Sequence, residues 1–137
     1  MRLQITRSEL EKMKQHAEQG YPHEVVGILA GQRQSNLVSE VRNLFNERSD
    51  TNNRYQVSAL ALMRAEQELE SRGLEIVGYY HSHPDHSSQY SEYDKEHALP
   101  NMSYVILSIL QGASNTFQSW RLTEDRNLML EESIEII

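Results

Sequence analysis

Apolar and polar positions along the chain predict its elements. Leu10, Met13 and Ala17 recur at helical spacing and predict a helix over 7–19. Thr6 and Glu9 have the spacing of a capping box, and Gly20, Tyr21 and Pro22 supply the stop. Val25-Val26-Gly27-Ile28-Leu29-Ala30 is a short continuous apolar run between turn formers, the pattern of a strand covered on both faces. Residues 37–45 mix apolar and polar side chains as a second strand does, and the polar stretch 46–54, with Asn52-Asn53 inside it, reads as a loop. A second helix is predicted over 59–72, capped by Ser58 and stopped by Gly73. Residues 75–83 form a strand leading into Pro84, and 103–110, 116–122 and 128–136 supply further strands. Helices alternate with strands early and strands dominate late, so the fold class is α/β or α+β with a mixed sheet. With no linker, repeat or low-complexity tract, one domain is expected over 1–137, and a late edge strand would offer an exposed row for pairing with another copy.

A chain of 137 residues is long enough for a core without staples, and 38% hydrophobic with 24% charged residues is a globular composition. No apolar run approaches the roughly 18 residues a spanning helix needs, so no membrane role is expected. Met1-Arg2-Leu3-Gln4-Ile5-Thr6 lacks the apolar centre of a signal peptide, which makes the cytoplasm the expected location. The absence of cysteine excludes disulfides, thiolate metal sites and thiol nucleophiles. Thirteen Lys and Arg against twenty Asp and Glu give a net charge of -7, and the basic residues do not cluster, which disfavours nucleic acid as a partner.

The chemistry concentrates in His81-Ser82-His83-Pro84 and Ser91-Glu92-Tyr93-Asp94. Alternation along a strand sends His81 and His83 to one face and Ser82 to the other, so two imidazoles can converge on one cation. Pro84 places them at the strand's end. Ser91 fits the N-cap of a short helix ending near Pro100, with Asp94 in its first turn as the natural third ligand. Two imidazole nitrogens and one carboxylate suit zinc with an open fourth position, the arrangement of a catalytic site. Glu24 opens a strongly apolar strand, an odd place for a charge unless it faces a site, and is a reasonable general base. Each piece alone has a plainer reading: a solvated strand edge for His-x-His, a helix cap for Ser91 and Asp94, a surface carboxylate for Glu24. His97, about a turn beyond Asp94, is a rival ligand or an outer partner of the site, and His86 reads as a loop residue. His16 and His23 are expected at the surface, and Tyr79, Tyr80 and Trp120 in packing.

Together, Glu24, His81-Ser82-His83-Pro84, the seven-residue gap Pro84–Tyr90, Ser91 and Asp94 resemble the JAMM motif of the MPN+ zinc metalloproteases. This family contains deubiquitinating isopeptidases and prokaryotic relatives. The segments from Pro22 to Gly31, Ser103 to Ser108 and Ser119 to Leu122 are similar to those of small stand-alone bacterial members, so the resemblance covers nearly the whole chain. It implies a curved mixed sheet flanked by helices, an α-β-α sandwich like that of cytidine deaminases. It further implies one zinc ion on His81, His83 and Asp94, Glu24 as general base and Ser91 as a donor to the oxyanion. The implied reaction is hydrolysis of a peptide or isopeptide bond at the C-terminal tail of a ubiquitin-like sulfur-carrier protein, or release of an amino acid from that tail. Tyr90 stands where many members carry Pro, which bears on how stiffly Ser91 is held and not on the metal site.

Three other functions compete. A non-catalytic MPN scaffold typically lacks the metal ligands, which are all present here. A zinc nucleobase deaminase needs Cys ligands, and there are none. A DNA-repair relative would be expected to show a basic surface, which the net charge of -7 argues against.

Overall fold

A computed structural model describes residues 2–44, 46 and 57–137. Seven strands and three helices follow in the order β1 (Arg2–Ile5), α1 (Arg7–Gly20), β2 (Val26–Gln32), β3 (Leu37–Leu44), α2 (Ala59–Ser71), β4 (Glu75–Pro84), α3 (Glu92–His97), β5 (Ser103–Leu110), β6 (Ala113–Leu122) and β7 (Met129–Ile136). The strands form one mixed sheet in the order β1-β3-β2-β4-β5-β6-β7, and it closes on itself. β1 runs parallel to both β3 and β7, β4 runs parallel to β5, and the remaining pairs are antiparallel.

The apolar runs of β2 and β5 are explained by helices on both faces. Leu10, Met13 and Ala17 of α1 pack with Leu29, Val105, Leu107 and Ile109. The alternate residues Ile28 and Ala30 meet Ala65 and Leu69 of α2, while Tyr104 and Ile106 join Ala98, Trp120, Leu122 and Met129 near α3. Period-two alternation thus sends neighbouring residues to opposite cores, leaving no polar face on these strands. Among the described residues no helix is long and apolar enough to cross a membrane.

Several expectations need correction. The Thr6–Glu9 capping box does not form: Thr6 is the N-cap without a side-chain bond, and Glu9 instead accepts the Val41 N–H at 2.8 Å and pairs with Lys12. A tertiary partner on β3 outcompetes the local one. The four-residue β1 has too little pattern to be read from sequence, and its pairing with both β3 and β7 removes the free late edge. His16 is half-buried rather than exposed, its Nδ1 2.8 Å from the Tyr80 hydroxyl. The polar stretch 46–54 lies outside the described residues except for Asn46. Ser58 does cap α2, accepting the Ala61 N–H at 3.0 Å, and Pro84 is the last residue of β4.

Candidate metal centre

β4 delivers His81 and His83 to one face at its C-terminal end, as strand alternation requires, and α3 brings Asp94 against them. The His81 and His83 Nε2 atoms are 3.3 Å apart. Asp94 spans the pair, with Oδ1 3.0 Å from His81 Nε2 and Oδ2 3.1 Å from His83 Nε2. His81 and Asp94 are buried, and His83 is partly open. Glu24, buried just ahead of β2, completes the cluster: one ligand atom from each of Glu24, His81 and His83 lies within 4.8 Å of the others.

Asp94 is aimed by its own helix. Ser91 Oγ accepts the Asp94 N–H at 3.1 Å, and the Ser91 N–H donates to Asp94 Oδ2 at 2.9 Å, a capping box that satisfies two orphan donors of α3. The candidate ligand is therefore also the N3 side chain of the capping box. Burial alone would raise the Asp94 carboxyl, but the two imidazoles set against its oxygens outweigh it, holding the carboxyl well below the usual carboxylate range.

The arrangement fits a metal ion on two counts. His83 Nδ1 donates to the Ser87 carbonyl at 2.8 Å, so in the neutral imidazole Nε2 carries the lone pair. That lone pair faces a carboxylate oxygen at 3.1 Å, a repulsive contact unless a positive charge, proton or metal cation, stands between. Ligands about 2.0–2.1 Å from a tetrahedral zinc ion lie about 3.3 Å apart. The two imidazole nitrogens, 3.3 Å apart, match that edge length, and each faces its own oxygen of Asp94, at 3.0 and 3.1 Å.

A cleft of about 350 Å³ opens beside the cluster, lined by Glu24, His83 and Ser91 with His86, Ser87, Gln89 and Tyr90. Its rim is tied down. Tyr90 packs edge-on against Trp120 with ring centroids 5.1 Å apart, Trp120 Nε1 donates to the Ser88 carbonyl at 3.0 Å, and Ser88 Oγ donates to Gln118 Oε1 at 2.6 Å. These contacts anchor the loop ahead of Ser91. His97 stays apart: its Nδ1 bonds the Tyr93 carbonyl at 2.8 Å and its ring stacks on Tyr93. His86, read from sequence as a loop residue only, lines the cleft. Its place there depends on the turn after Pro84, which residue type and spacing do not reveal.

Comparison with known proteins shows the family. The family model described as prokaryotic homologs of the JAB domain matches residues 6–123. A Haloferax volcanii protein named desampylase is 29% identical over 132 residues, covering 93% of this chain and 94% of the relative. A Thermus thermophilus protein named "Probable TtuB-protein conjugate cleaving protease" is 35% identical over 104 residues, covering 76% of this chain and 68% of the relative. The crystal structure of a JAB1/MPN domain protein from Archaeoglobus fulgidus superposes with a TM-score of 0.62 at 17% identity, covering 98% of this chain and 96% of that one, a likeness of fold. The expected curved mixed sheet flanked by helices is the fold observed, and the chain belongs to the family of small prokaryotic JAB-domain (JAMM/MPN) proteins.

Proposed function

We propose that this chain is a cytoplasmic zinc-dependent peptidase that hydrolyses a peptide or isopeptide bond at the C-terminal tail of a ubiquitin-like, sulfur-carrier-type protein. The observation that carries the reading is the convergence of the His81 and His83 Nε2 atoms and the Asp94 carboxylate within 3.0–3.3 Å, with Glu24 alongside in an open cleft. The relatives' names, a desampylase and a conjugate-cleaving protease, support a protein conjugate as substrate.

His81, His83 and Asp94 would hold the ion, beside the cleft that Glu24, His83 and Ser91 line. When bound, a zinc ion would supply Lewis acidity for a carbonyl and would lower the pKa of a water to about 7. Glu24 would accept the proton that the attacking water loses and deliver it to the departing amine, one carboxylate serving as base and then as acid. Ser91 Oγ accepts from the Asp94 N–H through a lone pair, which leaves its own hydroxyl proton for the carbonyl oxygen as that atom gains charge. Such a donor is worth about 3 kcal/mol in the transition state. Ser87 keeps the His83 ring in the tautomer that presents Nε2 to the ion.

The test is metal analysis joined to a cleavage assay on tail-extended carriers, followed by mass spectrometry. We expect about one zinc per chain, release of the tail, loss of release with chelator, and a drop of about 100-fold or more in Glu24→Gln. Unchanged cleavage by Glu24→Gln removes Glu24 as the base. A protein that cannot be loaded with zinc would point instead to a non-catalytic scaffold, which no observation here favours.

A further inference from the structure

We infer that Ser82 and Asn46 are positioning residues for Glu24: together they clamp the Glu24–Val25 peptide group and so aim the Glu24 carboxylate at the two imidazoles. This rests on the reading of Glu24 as the base. Ser82 sits between the two histidines but on the opposite face of β4, fully buried. Its Oγ accepts the Val25 N–H at 2.9 Å. Asn46 Nδ2 donates to the Glu24 carbonyl at 2.7 Å. The N–H and the C=O of a single planar peptide unit are therefore both held, by side chains from two separate segments. Because the unit is rigid, fixing its two polar atoms fixes its plane, and with it the Cα from which the Glu24 side chain departs.

The clamp stands where the sheet stops providing for the chain. Val26 opposite His81 is the last paired position between β2 and β4. One step further, Ser82 N–H still reaches the Val25 carbonyl at 3.1 Å, but the reciprocal Val25 N–H goes to the Ser82 hydroxyl. Glu24 lies just beyond the ladder, and the Ser82 hydroxyl takes over its role. An alanine at 82 leaves the Val25 N–H to find another acceptor, and either outcome, an unmade buried bond or a shifted chain, moves the base. Misplacement of a catalytic group by about 1 Å costs about 100-fold in rate.

The experiment uses the full zinc-loaded chain and a cleavable carrier. Ser82→Ala is expected to keep its zinc, lose about 100-fold in kcat and leave KM nearly unchanged, with Ser82→Thr, which retains the hydroxyl, recovering most of the loss. On a Glu24→Gln background, Ser82→Ala should add almost nothing, because a residue acting only through Glu24 has nothing left to position. Asn46→Ala should show the same pattern and covers the case in which Ser82→Ala does not fold. Losses that multiply fully on the Glu24→Gln background, or that fall on KM alone, overturn the proposal. A second reading needs no turnover: in the metal-free protein, amide exchange at Val25 should accelerate in Ser82→Ala while exchange at Leu29 does not. Unchanged Val25 protection overturns the clamp. If the wild type cleaves no carrier, the proposed function fails on its own, and the Val25 exchange still decides the clamp.

Discussion

Replacing Ser91 by alanine separates the two tasks that one hydroxyl performs here. Ser91 Oγ is the N-cap acceptor for α3, taking the Asp94 N–H at 3.1 Å, and α3 has only six residues over which to spread that loss. The partner bond of the box, from the Ser91 backbone N–H to Asp94 Oδ2 at 2.9 Å, survives the substitution. Removing the cap alone therefore costs about 1 kcal/mol of stability, a fall of about 4 °C in Tm for a domain of this size. The catalytic task is larger. If the hydroxyl proton donates to the developing oxyanion, its loss lowers kcat by about 100- to 1000-fold. A stability loss of about 1 kcal/mol leaves the chain folded, so the two effects read out separately: thermal melts for the cap, steady-state cleavage for the oxyanion. Ser91→Thr keeps both functions and should sit near wild type in each assay. A Tm that falls as stated with kcat within about twofold of wild type would refute the oxyanion role and leave Ser91 as a helix cap.

Three further outcomes follow from the packing. His16 donates to the Tyr80 hydroxyl, which in turn donates to Asn43 Oδ1, and burial holds the His16 pKa below its ordinary 6.5. The unfolded chain then binds a proton that the folded chain resists, so this contribution is present above about pH 6.5 and is lost as pH falls towards the lowered folded value. His16→Gln should flatten the urea-denaturation stability profile across that window; an unchanged slope counts against the assignment. Gly27→Ala would place a Cβ 2.2 Å from the buried Tyr80 ring and should cost about 1–3 kcal/mol in the same measurement, whereas a neutral result would mean that the β2–β4 contact is looser than described. Trp120→Phe cannot donate to the Ser88 carbonyl, so kcat should fall while zinc content holds, and loss of zinc instead would show that this indole supports the ligands rather than the cleft rim.

What could be read from sequence was whatever depends on nearest neighbours. β5 was bounded at both ends by its own apolar run, and α2 by Ser58 and Gly73, because caps and turns act over a few residues. The pairing of His81 with His83 follows from strand alternation alone, and Asp94 from its distance behind Ser91. The misses are long-range. Nothing near Glu9 announces that its carboxylate will bond Val41, and the closure of the sheet joins Arg2 to Ser133 across almost the whole chain. His16 looked like an exposed residue of an amphipathic helix until Tyr80 reached it from β4. Sequence places Ser82 on the face opposite the ligands but gives it no role, because its partner, the Val25 N–H, carries no side-chain signature.

The most direct test of the account is zinc K-edge absorption on the metal-loaded protein. It should show about one ion per chain with only nitrogen and oxygen neighbours at about 2.0–2.1 Å, two of them imidazoles, and one imidazole should vanish in His83→Ala. A spectrum with fewer than two imidazoles in the wild type, or one unchanged by His83→Ala, would contradict it.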